Sequence, residues 1–369
     1  MTDAAAVPFE RQPLLVFWEM TRACALACEH CRASAQPHPL PDELSTAEGH
    51  RLIEELAQFE RHPPILVLTG GDCLMRDDIF ELVEHAISNR IPVAISPSVT
   101  PRLTDSSLAR LRAIGVKTAS ISLDGATPST HDGIRGIAGH YEDTIAAIAR
   151  LARHGFTVQV NSTVMARNLA ELADLAAIVK KSGARIWEVF FLVSVGRGTT
   201  TEAVSAEEAE SVCVFLTEAA QYGMVVRTVE APFYRRVALQ RALSEDFVPD
   251  DRGRALIDRL HDLLGEPTTR RPVPAARTRD GQGIIFVAYN GDVYPSGFLP
   301  LSLGNVRAMH LVEIYRTHPL LLDIRAARFT GRCGACEHRQ LCGGSRARAY
   351  AASGNPLGED PACVFQPAV

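Results

Sequence analysis

The chain has 369 residues, 46% of them hydrophobic and 22% charged, the balance of a globular protein and not of a disordered one. A formal net charge of −5, from 38 basic and 43 acidic residues, gives no electrostatic reason to expect nucleic acid as a partner. No apolar run approaches the roughly 18–20 residues of a membrane span, and the first 13 residues carry Asp3 and Glu10 where a signal peptide would be basic and then apolar, so the cytoplasm is the expected compartment.

The first two-thirds of the chain alternates short β-rich runs with helical patterns, the signature of parallel βα units. Strands are expected at Leu14–Glu19, Ile65–Leu68, Pro92–Ser96, Thr118–Leu123, Thr157–Val164 and Trp187–Leu192. Helices are expected at Thr46–Gln58, Ile79–Asn89, Ser106–Ile114, Glu142–Arg153 and Ala170–Lys181, and Gly115, Gly155 and Gly183 follow such patterns as C-terminal caps. This is an α/β class, a partial (β/α)6 TIM-like barrel short of the full eight. Past residue 200, Ser205 with Glu208 reads as a capping box opening a helix to about Gln221. A strand at Met224–Thr228, a charged helix at Tyr234–Leu243 and a proline-rich loop at Pro267–Gly283 follow. Ile284–Tyr289 and Asp292–Tyr294 flank Asn290-Gly291, a type I′ hairpin signal, and a helix near Leu311–Ala327 comes last. The expected units are a core barrel at 14–230, a helical and loop linker at 231–283 and a small C-terminal domain at 284–369.

Nine cysteines are an odd number without a secretion signal, which argues against a disulfide framework. Cys24, Cys28 and Cys31 sit together near the start, and Cys333, Cys336, Cys342 and Cys363 near the end, while Cys73 and Cys213 stand alone as small buried residues. Two clusters suggest metal. Among the basic residues only Lys117, Lys180 and Lys181 are lysines and 35 are arginines. A GC-rich genome explains that bias, and so does a preference for gripping carboxylates.

Cys24, Cys28 and Cys31 read C-x3-C-x2-C directly after the first strand. Three thiolates can hold three irons of a four-iron cluster and leave the fourth open to a ligand. A helix face carrying three buried cysteines, or a zinc site completed by His30, are the other readings. With His30 at the aromatic-type position before the last cysteine, the motif resembles the radical S-adenosylmethionine (SAM) enzymes. The resemblance implies a [4Fe-4S] cluster whose open iron chelates SAM, and cleavage of SAM to a 5′-deoxyadenosyl radical that takes a hydrogen atom from substrate.

Further motifs follow in the family's order. Thr69-Gly70-Gly71-Asp72 matches its glycine-glycine-acidic motif, which implies backbone close to SAM at Gly70 and Gly71 and a carboxylate at Asp72 facing the SAM ammonium. Cys73 stands where the family usually has proline. By the same resemblance Ser122 lies near the SAM carboxylate, Asn161 near the ribose, and Arg135 offers a bidentate carboxylate contact. Each also reads as a structural polar residue or ion pair. Their place at strand ends suits a barrel, whose active site forms there.

Cys333-Gly334-Ala335-Cys336, then Cys342 and Cys363, supply four thiolates that close a metal site, zinc being one candidate. The pattern resembles the SPASM/twitch extension of radical SAM enzymes, which implies an auxiliary [4Fe-4S] cluster. A full SPASM domain has a further cysteine after the hairpin, where this chain has Ser296, so one auxiliary cluster is expected. Pro295–Leu301, Gly304-Asn305-Val306, Cys342–Ala349 and Asp360–Cys363 resemble the tetrapyrrole-modifying branch, which includes heme d1 maturation enzymes and iron-coproporphyrin decarboxylases. That implies oxidative decarboxylation or removal of tetrapyrrole propionates, with ferredoxin or flavodoxin as electron donor. Arg197, Arg346 and Arg348 are the candidate propionate clamps, though each also reads as a surface or ion-paired arginine. The alternative is a maturase of a ribosomal peptide. Many of those carry an N-terminal recognition domain, for which the 13 residues before the first strand are too few, unless a separate protein supplies it. A non-catalytic zinc scaffold is the third reading.

Overall fold

The structure, a computed structural model, describes residues 9–59, 62–198, 202–243, 249–273 and 278–367. β1 (Leu15–Glu19), β2 (Ile65–Thr69), β3 (Val93–Ile95), β4 (Thr118–Ser122), β5 (Thr157–Val164), β6 (Ile186–Phe191) and β7 (Val225–Val229) lie side by side in chain order, each parallel to its neighbour. The crossovers carry α1 (Thr46–Leu56), α2 (Ile79–Ser88), α3 (Asp105–Ile114), α4 (Pro128–Arg135), α5 (His140–Arg153), α6 (Leu172–Lys181) and α7 (Ala206–Ala219). All six expected strands are present, and the capping box of Ser205 with Glu208 opens α7. Gly115, Gly155 and Gly183 adopt the positive φ that an L side chain resists.

Alternation along the strands sorts side chains between two environments. On β5, Val158, Val160, Ser162 and Val164 are buried while Gln159, Asn161 and Thr163 are half-buried. The buried set faces the helices. Trp18 packs so tightly on α1 that a Cβ on Gly49 would meet its ring at 2.7 Å, and Trp187 meets Phe215 of α7 edge-on. The half-buried set, with Glu188 and Phe190 of β6, faces the barrel interior.

α4 escapes sequence detection because it is short and half of it is Pro, Ser, Thr and Gly. Thr127 caps its N-terminus, Pro128 begins it and left-handed Gly136 ends it. α9 (Asp251–Leu264), preceded by α8 (Tyr234–Leu243), was also unexpected, although Leu256, Ile257 and Leu260 form a buried stripe behind an Asp250 cap. Pro319 splits the single helix expected at Leu311–Ala327 into α10 (Leu311–Thr317) and α11 (Pro319–Arg325). Two short helices, α12 (Gly331–Ala335) and α13 (Arg346–Ser353), complete the chain.

The C-terminal strands do not form a sheet of their own. β8 (Ile284–Val287) pairs in parallel with β1, and β9 (Asp292–Tyr294) and β10 (Gly304–Asn305) extend the same ten-stranded sheet beyond it. The β8–β9 turn differs from the expected type I′. Gly291 has φ 87° but Asn290 does not have positive φ, and Ala288 N–H donates to Asp292 O. The result is a three-residue loop with glycine in the left-handed position. Ile285, Val287, Val293, Leu311 and Tyr315 share one core with the strands of the barrel. Among the described residues no helix is long and apolar enough to cross a membrane.

Candidate active site

The chain leaves β1 at its C-terminal end and runs straight into the loop of Cys24, Cys28 and Cys31. Backbone hydrogen bonds between Cys24 and Gln36 and between Gln36 and Arg22 close that loop. Inside it the three cysteines pack together with Leu26 and Ala35. Each sulfur faces a donor: Leu26 N–H lies 3.3 Å from Cys24 Sγ, Ala35 N–H 3.5 Å from Cys31 Sγ, and Arg135 Nη1 3.5 Å from Cys28 Sγ. Ser98 Oγ also lies 3.6 Å from Cys24 Sγ, and three clustered sulfurs, each offered at least one hydrogen bond, suit a set of iron-bound thiolates. The segment after β6 presses on the same loop. A Cβ on Gly196 would lie 2.2 Å from Arg32 O, and Arg197 donates to Cys28 O and Ala35 O. Arg197, expected as a propionate clamp, is therefore engaged in holding the cysteine loop.

Gly70 and Gly71 make a close backbone contact of their own. A Cβ at either would lie about 2.4 Å or less from the carbonyl of Thr21 or Ala23, so they let the end of β2 pack on the start of the cysteine loop. Asp72 is turned inward and fully buried. Its carboxylate accepts from Leu74 N–H, Ser98 N–H and the Thr100 hydroxyl, and burial raises its pKa against those three bonds. Cys73 beside it is completely buried, which pushes its thiol up.

A buried polar group joins the cysteine loop to β4 and β5. Asp124, fully buried, pairs with Arg135, accepts from Thr163 N–H at 2.7 Å and lies 3.5 Å from His30 Nε2. Burial alone would raise the Asp124 carboxyl, and Arg135 brings it below the usual range. Burial pulls His30 down to about 4, so its ring is neutral near pH 7, and its Nδ1 is buried without a partner. Asp124 N–H donates to Nδ1 of His131, which leaves Nε2 of that ring to donate to His140 Nδ1. Arg135 thus stands in an ion pair, the structural alternative open to it.

Ser122 and Asn161 face the interior in register on β4 and β5. Asn161 Oδ1 accepts from Gln159 Nε2, which also donates to Glu188. Asp124, Gln159 and Glu188 were missed as site residues. Strand parity alone would have put Glu188 on the interior face beside Asn161.

At the other end of the chain Cys333, Cys336, Cys342 and Cys363 line one cavity of about 30 Å³, together with Arg236, Arg332 and Gly344. Asp360 N–H, His338 N–H and Gly344 N–H each lie 3.4 Å from one sulfur, and Phe365 N–H serves Cys363. Among the described residues no three His, Cys, Asp or Glu side chains converge on a single-ion geometry. Burial pushes the Cys342 thiol up to about 12. The surroundings are electropositive. Buried Arg235, Arg279 and Arg346 direct their donors to main-chain carbonyls and, for Arg346, to Cys333 Sγ. Burial pulls both Arg235 and Arg279 down to about 10, and at Arg279 the neighbouring guanidiniums add to it. A negatively charged four-thiolate cluster fits that cage. Arg346 and Arg348, the latter paired with Asp360, are engaged here and not in an open pocket.

A parallel partial barrel with three clustered thiols at its mouth, joined to a four-thiol cavity, defines an enzyme of the iron–sulfur type. The chain belongs to the radical SAM superfamily, whose model matches residues 18–179. It is 36% identical over 359 residues to the AdoMet-dependent heme synthase of Nitratidesulfovibrio vulgaris, covering 96% of this chain and 92% of that protein. To the mycofactocin maturase MftC of Mycobacterium tuberculosis it is 30% identical over 365 residues, covering 96% and 85%. Among solved structures, Streptococcus suis SuiB bound to S-adenosylmethionine shares the fold with a TM-score of 0.69 at 14% identity, covering 96% of this chain and 78% of that one. As a member of this superfamily the protein is an enzyme that uses a [4Fe-4S] cluster and SAM.

Proposed function

We propose that this enzyme acts on the propionate side chains of a tetrapyrrole, by oxidative decarboxylation or side-chain removal. The observation that carries the reading is the 36% identity, along nearly the whole chain, to a heme synthase. When bound, the cluster and SAM supply an organic radical able to take a hydrogen atom from substrate. Cys24, Cys28 and Cys31 would hold that cluster, and Cys333, Cys336, Cys342 and Cys363 an auxiliary one. His30, Gly70, Gly71, Ser122 and Asn161 line or shape the SAM side of the mouth. Arg135 either turns to the SAM carboxylate or keeps its contact with Cys28, and Asp72 fixes the loop that faces SAM. The buried Asp124 group keeps water from the cysteine loop and holds its geometry. A low-potential donor such as ferredoxin or flavodoxin, in a reducing cytoplasm, completes the system.

Anaerobic reconstitution should load about eight irons per chain as two four-iron clusters and give SAM cleavage on reduction. Iron-coproporphyrin III should shift its Soret band on binding and yield decarboxylated product, whereas no binding and no turnover would remove it as the substrate. Cys28→Ala should abolish SAM cleavage, and persistence of cleavage would refute the N-terminal assignment. The peptide-maturase reading is favoured by the 30% identity to MftC, and turnover of a peptide in place of the porphyrin would select it.

A further inference from the structure

The sheet is open between β7 and β10, which are not paired, and the loop Pro295–Leu301 between β9 and β10 reaches from β8 to the end of β6. It contains Ser296, the position at which resemblance would have placed another cluster ligand. Ser296 is buried, its hydroxyl oxygen accepts from Phe298 N–H at 3.3 Å, and its carbonyl accepts from Leu299 N–H. The residue is committed to a tight turn. On one side of the gap Gly297 lies against β8 and the cysteine loop, where a Cβ would be 3.0 Å from the Phe286 ring and 3.2 Å from Arg32 Nε. Arg32 Nη1 donates to Gly297 O and its guanidinium sits 4.6 Å over the Phe286 ring. On the other side Leu299, fully buried, packs with Val193 and Ala347.

Between these two anchors the turn presents Phe298, half-buried, to Phe190 on the interior face of β6. Their ring centroids are 6.0 Å apart and the planes are tilted by 50°. Leu299 fills the centre of that small cluster, and Phe298 packs at its edge, only partly covered. Two half-exposed aromatic faces inside an enzyme mouth are a platform for a flat π-system. Arg227, exposed on β7 in register with Glu188, puts a guanidinium on the same open side, as a carboxylate-bearing ligand requires.

We propose that the loop Pro295–Leu301 forms the substrate wall of the pocket, with Phe190 and Phe298 as the specificity-determining platform for a planar macrocycle bearing carboxylates. The proposal rests on the tetrapyrrole reading and adds where that substrate stacks. With serine at 296 the turn holds no thiol and presents the Phe298 ring instead.

The test is anaerobic titration of reconstituted protein with iron-coproporphyrin III, read at the Soret band, for the wild type and for Phe190→Leu, Phe298→Leu and Phe298→Tyr. Each leucine variant should bind about tenfold more weakly, and Phe298→Tyr, which keeps the ring, should bind within about twofold of wild type. Iron content and melting temperature report folding independently. Leucine variants that bind as tightly as a binding wild type would overturn the platform and leave the proposed function standing. So would equal loss in Phe298→Tyr and Phe298→Leu. A wild type that binds no porphyrin, or binds a peptide instead, would overturn both.

Discussion

Gly344 shows how a single residue shapes a metal site. It adopts φ +64°, and a Cβ there would lie 2.9 Å from Cys333 Sγ and 2.5 Å from Arg346 Nη2. Its own N–H is the donor to Cys342 Sγ. Alanine would therefore strain the backbone and intrude on the Cys333 ligand and on the Arg346 guanidinium beside it. Gly344→Ala should drop loading from about eight to about four irons per chain, with the N-terminal cluster and its SAM cleavage kept. Retention of about eight irons would show that the glycine is not needed for the cavity. At this scale the sequence was most legible for cysteines, because clustered thiols have few structural explanations. It was least legible for Asp124, two residues after Ser122, to which the sequence assigned no role. Nothing in one sequence shows that a carboxylate after β4 meets an arginine eleven residues on. Gly70 and Gly71 also approach the chain's own backbone at Thr21 and Ala23, a contact the sequence does not reveal.

Elements were legible where periodicity was long and caps were explicit, as in β1 to β6 and α7. α4 was not, because eight residues of low helix propensity leave no pattern, and tertiary contacts stabilise it. Contacts between elements also contain the clearest pH dependence. The Arg307 guanidinium, assisted by Ser45, holds the Glu48 carboxyl at the start of α1 down to about 2. A depressed carboxyl contributes stability that is whole above its ordinary value of 4.5 and is lost as pH falls toward 2. This contact ties the segment after β10 to α1, so acid should loosen that junction first. Glu48→Gln should lower Tm at pH 7 and flatten its decline between pH 5 and pH 3. Equal slopes in wild type and variant would mean the pair does not govern acid stability.

Across the whole molecule the sequence suggested a barrel with an appended domain, because a hairpin signal reads locally and says nothing of which edge it joins. The parallel pairing of β8 with β1 lies about 270 residues apart in sequence, and no local pattern encodes it. Its consequence concerns the catalytic loop. β1 has β2 on one side and β8 on the other, and the cysteine loop springs from its end. That loop and the start of α1 are braced from beyond residue 284: Arg32 donates to Gly297 O, Leu44 N–H donates to Tyr289 O, and Arg307 reaches Glu48. A chain ending at residue 283 would leave β1 as an edge strand, with its unpaired N–H and C=O groups open to association. It would also lose Ile285, Val287 and Tyr315 from the shared core. We expect such a truncation to aggregate, or to bind iron at Cys24, Cys28 and Cys31 without a stable four-iron absorbance. A soluble 1–283 chain that melts cooperatively and holds about four irons would show that the barrel stands without β8.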